Sequence, residues 1–147
     1  RAVAYQNLGK IKQAKADLYK ALKLNPTPST ILNLAVIERK SKNYKLCLSI
    51  LDKLTGDTQN YSRIFLERGS CLKSLGNGEL ALKNFLKAIE LEGPTSFALQ
   101  QIGEILISKG DTKNGVVYLE KASEILLQNG EIEKYGQLIN IIEKTKS

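Results

Sequence analysis

Residues Leu72 to Pro94 read LKSLGNGELALKNFLKAIELEGP. Within this stretch Gly76, Ala81, Phe85 and Ala88 follow one another at offsets of five, four and three residues. Apolar residues recurring at helical spacing mark a buried helix face, and a Gly-Asn-Gly cluster ahead of them marks a turn. The stretch therefore predicts the end of one helix, a turn at Gly76-Asn77-Gly78, and a second helix stopped by Gly93-Pro94.

The same ladder recurs on both sides. Ala14, Cys47, Ala81 and Gly115 are separated by 33, 34 and 34 residues. Leu18, Leu51, Phe85 and Leu119 keep that spacing, and so do Ala21, Leu54, Ala88 and Ala122. A sustained helix–turn–helix period of this length belongs to stacked repeats, in which one hairpin alone cannot bury its apolar face but neighbours together build a continuous core. Small residues in the first column let helices approach closely, and the large column fills the space between hairpins.

Taken in chain order, Ala2, Val3, Tyr5 and Leu8, then Ile11, Ala14, Leu18, Ala21 and Leu22, have a helical period broken by Gly9. That break predicts two helices joined by a turn at Gly9. Asn25-Pro26-Thr27-Pro28 ends the pair, because each proline disfavours helix in the residue before it. Ser29 or Thr30 is the expected N-cap of the next helix, which carries Ile31, Leu34, Ala35 and Ile37 up to Lys42-Asn43. Tyr44, Cys47, Ile50, Leu51 and Leu54 form its partner, closed by Thr55-Gly56-Asp57. A fourth pair turns at Gly110-Asp111 and ends at Asn129-Gly130, and Ile132, Tyr135, Leu138, Ile139 and Ile142 give one last amphipathic helix.

The 147 residues are 42% hydrophobic and 25% charged, enough to bury a core, with no apolar run long enough to cross a membrane. Histidine, methionine and tryptophan are absent, which removes the commonest general base and metal ligand. No nucleophile has a base partner, and Gly76-Asn77-Gly78 lacks the lysine and the strand of a phosphate loop, so neither enzyme, metal nor cofactor is expected. Cys47 and Cys71 have no metal spacing and are expected to be inert core thiols, which favours a reducing, cytoplasmic setting. The net charge of +7 is uneven: residues 1–54 hold 11 basic and 3 acidic side chains. That excess points to an acidic partner or nucleic acid for the N-terminal third.

The chain resembles the tetratricopeptide repeat family, whose pattern runs Trp-x2-Leu-Gly-x2-Tyr, then Ala-x3-Phe-x2-Ala and a late proline. Phe65, Gly69, Leu72, Gly76, Ala81, Phe85, Ala88 and Pro94 carry the likeness in one unit, and Ala2, Tyr5, Gly9, Ala14, Leu18, Ala21 and Pro26 in another. The unit between them has Lys42 in place of the turn glycine, and the last has Gly115 in place of alanine. The resemblance implies an all-α fold, a right-handed α-solenoid of antiparallel helix pairs. Its repeats would span about 1–27, 28–61, 62–95 and 96–129, with a capping helix at about 131–145. Register places Arg1 part-way along a first helix, so a fragment of a longer chain is expected.

In this family the first helix of each pair lines a concave groove. Carried over position by position, the groove residues are Gln6 and Asn7; Leu32, Val36, Arg39 and Lys40; Arg63, Leu66, Ser70 and Lys73; then Phe97, Gln100 and Glu104. Apolar anchors among basic heads suit a protein or peptide carrying both apolar side chains and carboxylates. The clamp by which some relatives hold a C-terminal carboxylate is not expected, because Val3 and Glu67 occupy two of its positions. The implied function is a scaffold or adaptor that binds proteins, not small molecules. Two alternatives are a regulatory or targeting domain of a larger enzyme, and an RNA-binding helical repeat. Lys10, Lys12, Lys15, Lys20 and Lys23 fall in or just before a second helix, on the side away from the groove.

Overall fold

The computed structural model describes residues 2–54 and 61–147, with side chains from Leu8 onward. In order the helices are α1 (Ala2–Leu24), α2 (Pro28–Lys40), α3 (Tyr44–Leu51), α4 (Ser62–Ser74), α5 (Gly78–Glu92), α6 (Ser96–Ser108), α7 (Thr112–Gln128) and α8 (Ile132–Lys146). No strand occurs among the described residues. The fold is an α-solenoid in which α2–α3, α4–α5 and α6–α7 form successive antiparallel hairpins.

One turn closes all three. Lys42, Gly76 and Gly110 take positive φ angles of 68°, 85° and 94°. The amide of the next residue then reaches back five places, Asn43 to Glu38, Asn77 to Leu72 and Asp111 to Leu106, at 2.8–2.9 Å. Those bonds satisfy carbonyls that a helix end leaves free. Glycine adopts this geometry without strain, whereas Lys42 does so at a cost of about 1 kcal/mol. The Asn77 and Asp111 side chains then cap the following helices, accepting from the amides of Leu80 and Asn114.

Three expectations are corrected. Gly9 is no turn: α1 runs unbroken through it, without a positive φ at that residue. A glycine within a helix costs only about 1 kcal/mol, so Gly9 alone does not break α1. The N-cap of α2 is Thr27, whose hydroxyl accepts from the Thr30 amide at 3.1 Å, with Pro28 in the first helical turn where its missing N–H is no loss. Finally, α3 ends at Leu51, although Leu54 beyond it is still buried. Thr55-Gly56-Asp57 lies outside the described residues.

The repeating columns are the core. Cys47, Leu51, Leu54, Ala81, Phe85, Ala88, Leu119 and Ala122 are all buried, while the corresponding Ala14, Leu18 and Ala21 of α1 are half-buried. Close approach within each hairpin depends on a small residue facing a large one. A methyl group on Gly69 would lie 2.9 Å from the Phe85 ring, and one on Gly103 would lie 2.8 Å from Leu119. The α6–α7 pair is tighter still, since a methyl on Gly115 would meet Ile107 at 2.5 Å and the Gly103 carbonyl at 2.8 Å. That contact explains glycine where the other units have alanine or cysteine. At the C-terminal end α8 packs Leu138 and Ile142 against Leu99, Val116 and Leu119.

Candidate functional site

The first helices α2, α4 and α6 are tied to one another across the hairpin junctions by charge. Arg39 of α2 donates from Nε to Glu67 Oε2 of α4 at 2.6 Å. Lys73 of α4 donates to Gln101 Oε1 at 2.6 Å and Glu104 Oε1 at 2.7 Å, both on α6. Arg39 and Lys73 are one period apart, as are Glu67 and Gln101, so the bridges form a ladder with the repeat's own spacing. The hydrogen bond to Glu67 raises the Arg39 pKa against the effect of its partial burial.

This ladder engages Arg39, Lys73 and Glu104 among the polar residues assigned to the groove. Gln100 donates to Glu104 at 3.3 Å, and Ser70 Oγ donates to the Leu66 carbonyl at 2.9 Å. Lys40 and Arg63 are exposed and make no ion pair among the described residues. Leu32, Val36 and Leu66 are half-buried, with Leu32 and Leu66 packed on the adjoining core clusters. The side chains of Gln6 and Asn7 lie outside the described residues.

Phe97 stands apart. Its ring meets Phe85 edge-to-face at 6.1 Å, yet 48% of the residue is exposed. With Ser96 and Gln100 it borders a 300 Å³ pocket whose other walls are Leu126, Lys134, Gln137, Leu138 and Ile141. Sequence reasoning missed the contribution of α8 here, although Leu138 and Ile142 at helical spacing were the available signal. A second pocket of 210 Å³ lies among Pro28, Ser29, Leu32, Leu54, Tyr61 and Ile64.

A buried carboxylate was also missed. Glu38 is 3% exposed and accepts from Lys15 Nζ at 2.6 Å, Tyr19 Oη at 2.8 Å and Asn43 Nδ2 at 3.2 Å. Burial pushes its pKa up, but the three donors outweigh burial and hold it below the ordinary value. Tyr19 is pushed up to about 12, first by burial and then by the Glu38 charge. A carboxylate this buried and held by three donors is closed to a substrate, so this cluster fastens α1 to α2. Among the described residues no group of acids and cysteines is placed to hold a metal ion, and no helix is long and apolar enough to cross a membrane.

Stacked hairpins of one period, one shared turn and a continuous face of first helices define a helical-repeat protein. The chain belongs to the tetratricopeptide repeat family, whose pattern matches residues 1–28, 62–94 and 98–133. The unit carrying Lys42 falls outside those matches. Among solved structures, MamA (residues 41 to the end) from Desulfovibrio magneticus RS-1 is similar at 24% identity and a TM-score of 0.74, over 86% of this chain and 72% of that one. The type III secretion translocator chaperone SycD of Yersinia enterocolitica is similar at 21% identity and a TM-score of 0.74, over 80% and 82%. Another MamA structure covers 96% of this chain and 91% of its own, at 15% identity and a TM-score of 0.72. At such identities the likeness is one of fold. No curated protein matches the sequence.

Proposed function

We propose that the chain is a non-enzymatic protein–protein interaction module that takes a peptide segment along the face of α2, α4, α6 and α8. The observation that carries this reading is Phe97, a half-exposed aromatic beside a 300 Å³ pocket walled by Leu126, Leu138 and Ile141. Aromatic anchors beside apolar pockets dominate peptide recognition. A similar fold acting as a translocator chaperone in SycD supports a protein as the ligand.

The ladder changes which cations serve the partner. Arg39 and Lys73 neutralise carboxylates of this chain, and Lys134 pairs with Glu131, which leaves Lys40 and Arg63 as the basic heads for an acidic segment. Selection from a displayed peptide library tests the reading. Enriched peptides should carry a large apolar side chain near an acidic one, and Phe97→Ala should weaken them about tenfold or more, a loss of about 1.4 kcal/mol. Lys40→Glu with Arg63→Glu should weaken acidic peptides at unchanged melting temperature. Peptides that bind both variants as tightly as the wild type would refute this site.

A second reading rests on α1, where Lys10, Lys12, Lys20 and Lys23 are exposed on one continuous helix. Of these, Lys12, Lys20 and Lys23 share one face, which fits an RNA backbone. RNA retention that falls steeply with the logarithm of salt concentration, and is lost on reversing those three charges, would favour it over the peptide reading.

A further inference from the structure

Cys47 of α3 and Cys71 of α4 belong to adjacent hairpins, and their sulfurs stand 2.6 Å apart with both residues fully buried as free thiols. The same register at the next junction holds Ala81 and Ile105, and packing there is served without sulfur. A small apolar residue facing a branched one would fill this site equally, so the paired thiols are not a requirement of the fold.

We propose that Cys47 and Cys71 are an oxidative modification site, joined into a disulfide by a hydroperoxide so that the α2–α3 and α4–α5 hairpins are covalently stapled. The Cys71 thiolate attacks the peroxide, forming a sulfur–oxygen bond as the oxygen–oxygen bond breaks and an alcohol, or water from hydrogen peroxide, leaves with the proton. Cys47 Sγ then attacks the Cys71 sulfur, the sulfur–sulfur bond forms, and hydroxide departs as water with the Cys47 proton. Two thiols lose two electrons and one peroxide gains them. The shared hydrogen bond assigns the roles: with burial it pushes the Cys47 thiol up, and it holds Cys71 down against burial. Arg39 also favours the Cys71 thiolate, while Glu67 opposes it. Because both sulfurs are buried, oxidant enters only when the α3–α4 contact opens, and the reaction is slow beside that of an exposed thiol.

Folded chain treated with hydrogen peroxide provides the test, read by intact mass and by alkylation in denaturant. The expected product is a monomer lighter by about 2 Da with no alkylatable thiol, melting about 5 to 10 °C higher and reverting with dithiothreitol. Cys47→Ser should instead gain one oxygen at Cys71 or form intermolecular dimers. The proposal falls if the oxidised wild-type chain keeps two alkylatable thiols, gains oxygen without the 2 Da loss, or pairs only between molecules; none of these outcomes depends on the variant folding.

Discussion

Phe85→Ala removes the side chain on which the α4–α5 hairpin closes. Phe85 is fully buried with Ala81, Ile102 and Ile105, lies against Gly69 and takes the Phe97 ring on its edge. Large-to-alanine changes cost about 3 to 5 kcal/mol, more where the site cannot collapse. Here Gly69, Ala81 and Ala88 have nothing to extend into the void, which places the expected loss near about 4 kcal/mol. For a chain of 147 residues that corresponds to about 12 °C in Tm. Urea unfolding followed by circular dichroism at 222 nm reads it as a drop in midpoint. The transition should also broaden, because α4–α5 sits mid-stack and its loss uncouples the two ends. The exposed neighbour Leu86 gives the control, with Leu86→Ala costing less than about 1 kcal/mol. A Phe85→Ala loss no larger than that of Leu86→Ala would refute the column assignment.

Three further outcomes are expected. Gly115→Ala should cost about 1 to 3 kcal/mol, since its methyl collides with Ile107 and with the Gly103 carbonyl, and a thermal melt checks it. Lys42→Gly should raise stability by about 0.5 to 1 kcal/mol in the same assay by relieving the left-handed residue at φ 68°. Glu38, whose folded pKa is lowered, contributes stability that is complete above its unfolded pKa of about 4.3 and is lost as pH falls through the folded value. Urea midpoints taken from about pH 6 down to about pH 3 should therefore decline less steeply in Glu38→Gln than in the wild type.

The repeat was legible because its columns answer to packing, which constrains residue size at every period. Phe85, Leu119 and Leu51 were placed in the core by spacing alone, and even the turn at Lys42 was located without its glycine. Local signals were read less well. Gly9 has the breaker's identity but sits inside an unbroken α1, and Pro28 was read as a stop when it also starts α2. The surface was least legible, because a side chain's partner on the next hairpin is fixed only once the helices are side by side. Arg39 and Glu67 lie 28 residues apart, as do Lys73 and Gln101, a recurrence visible in the sequence but without meaning until α2, α4 and α6 are aligned. Glu38 was hidden for the same reason, since Lys15 and Tyr19 reach it only from the unbroken α1.

The ladder also bears on mechanics. Hydrophobic contacts between hairpins resist separation at any salt concentration, whereas the Lys73–Glu104 bridge acts through a field that electrolyte screens, and the more buried Arg39–Glu67 bridge through one it screens less. The elasticity of this coil thus has an electrostatic share that its melting point hardly registers. Raising ionic strength is therefore expected to loosen the coil slightly, a change that X-ray scattering profiles at low and high salt would read.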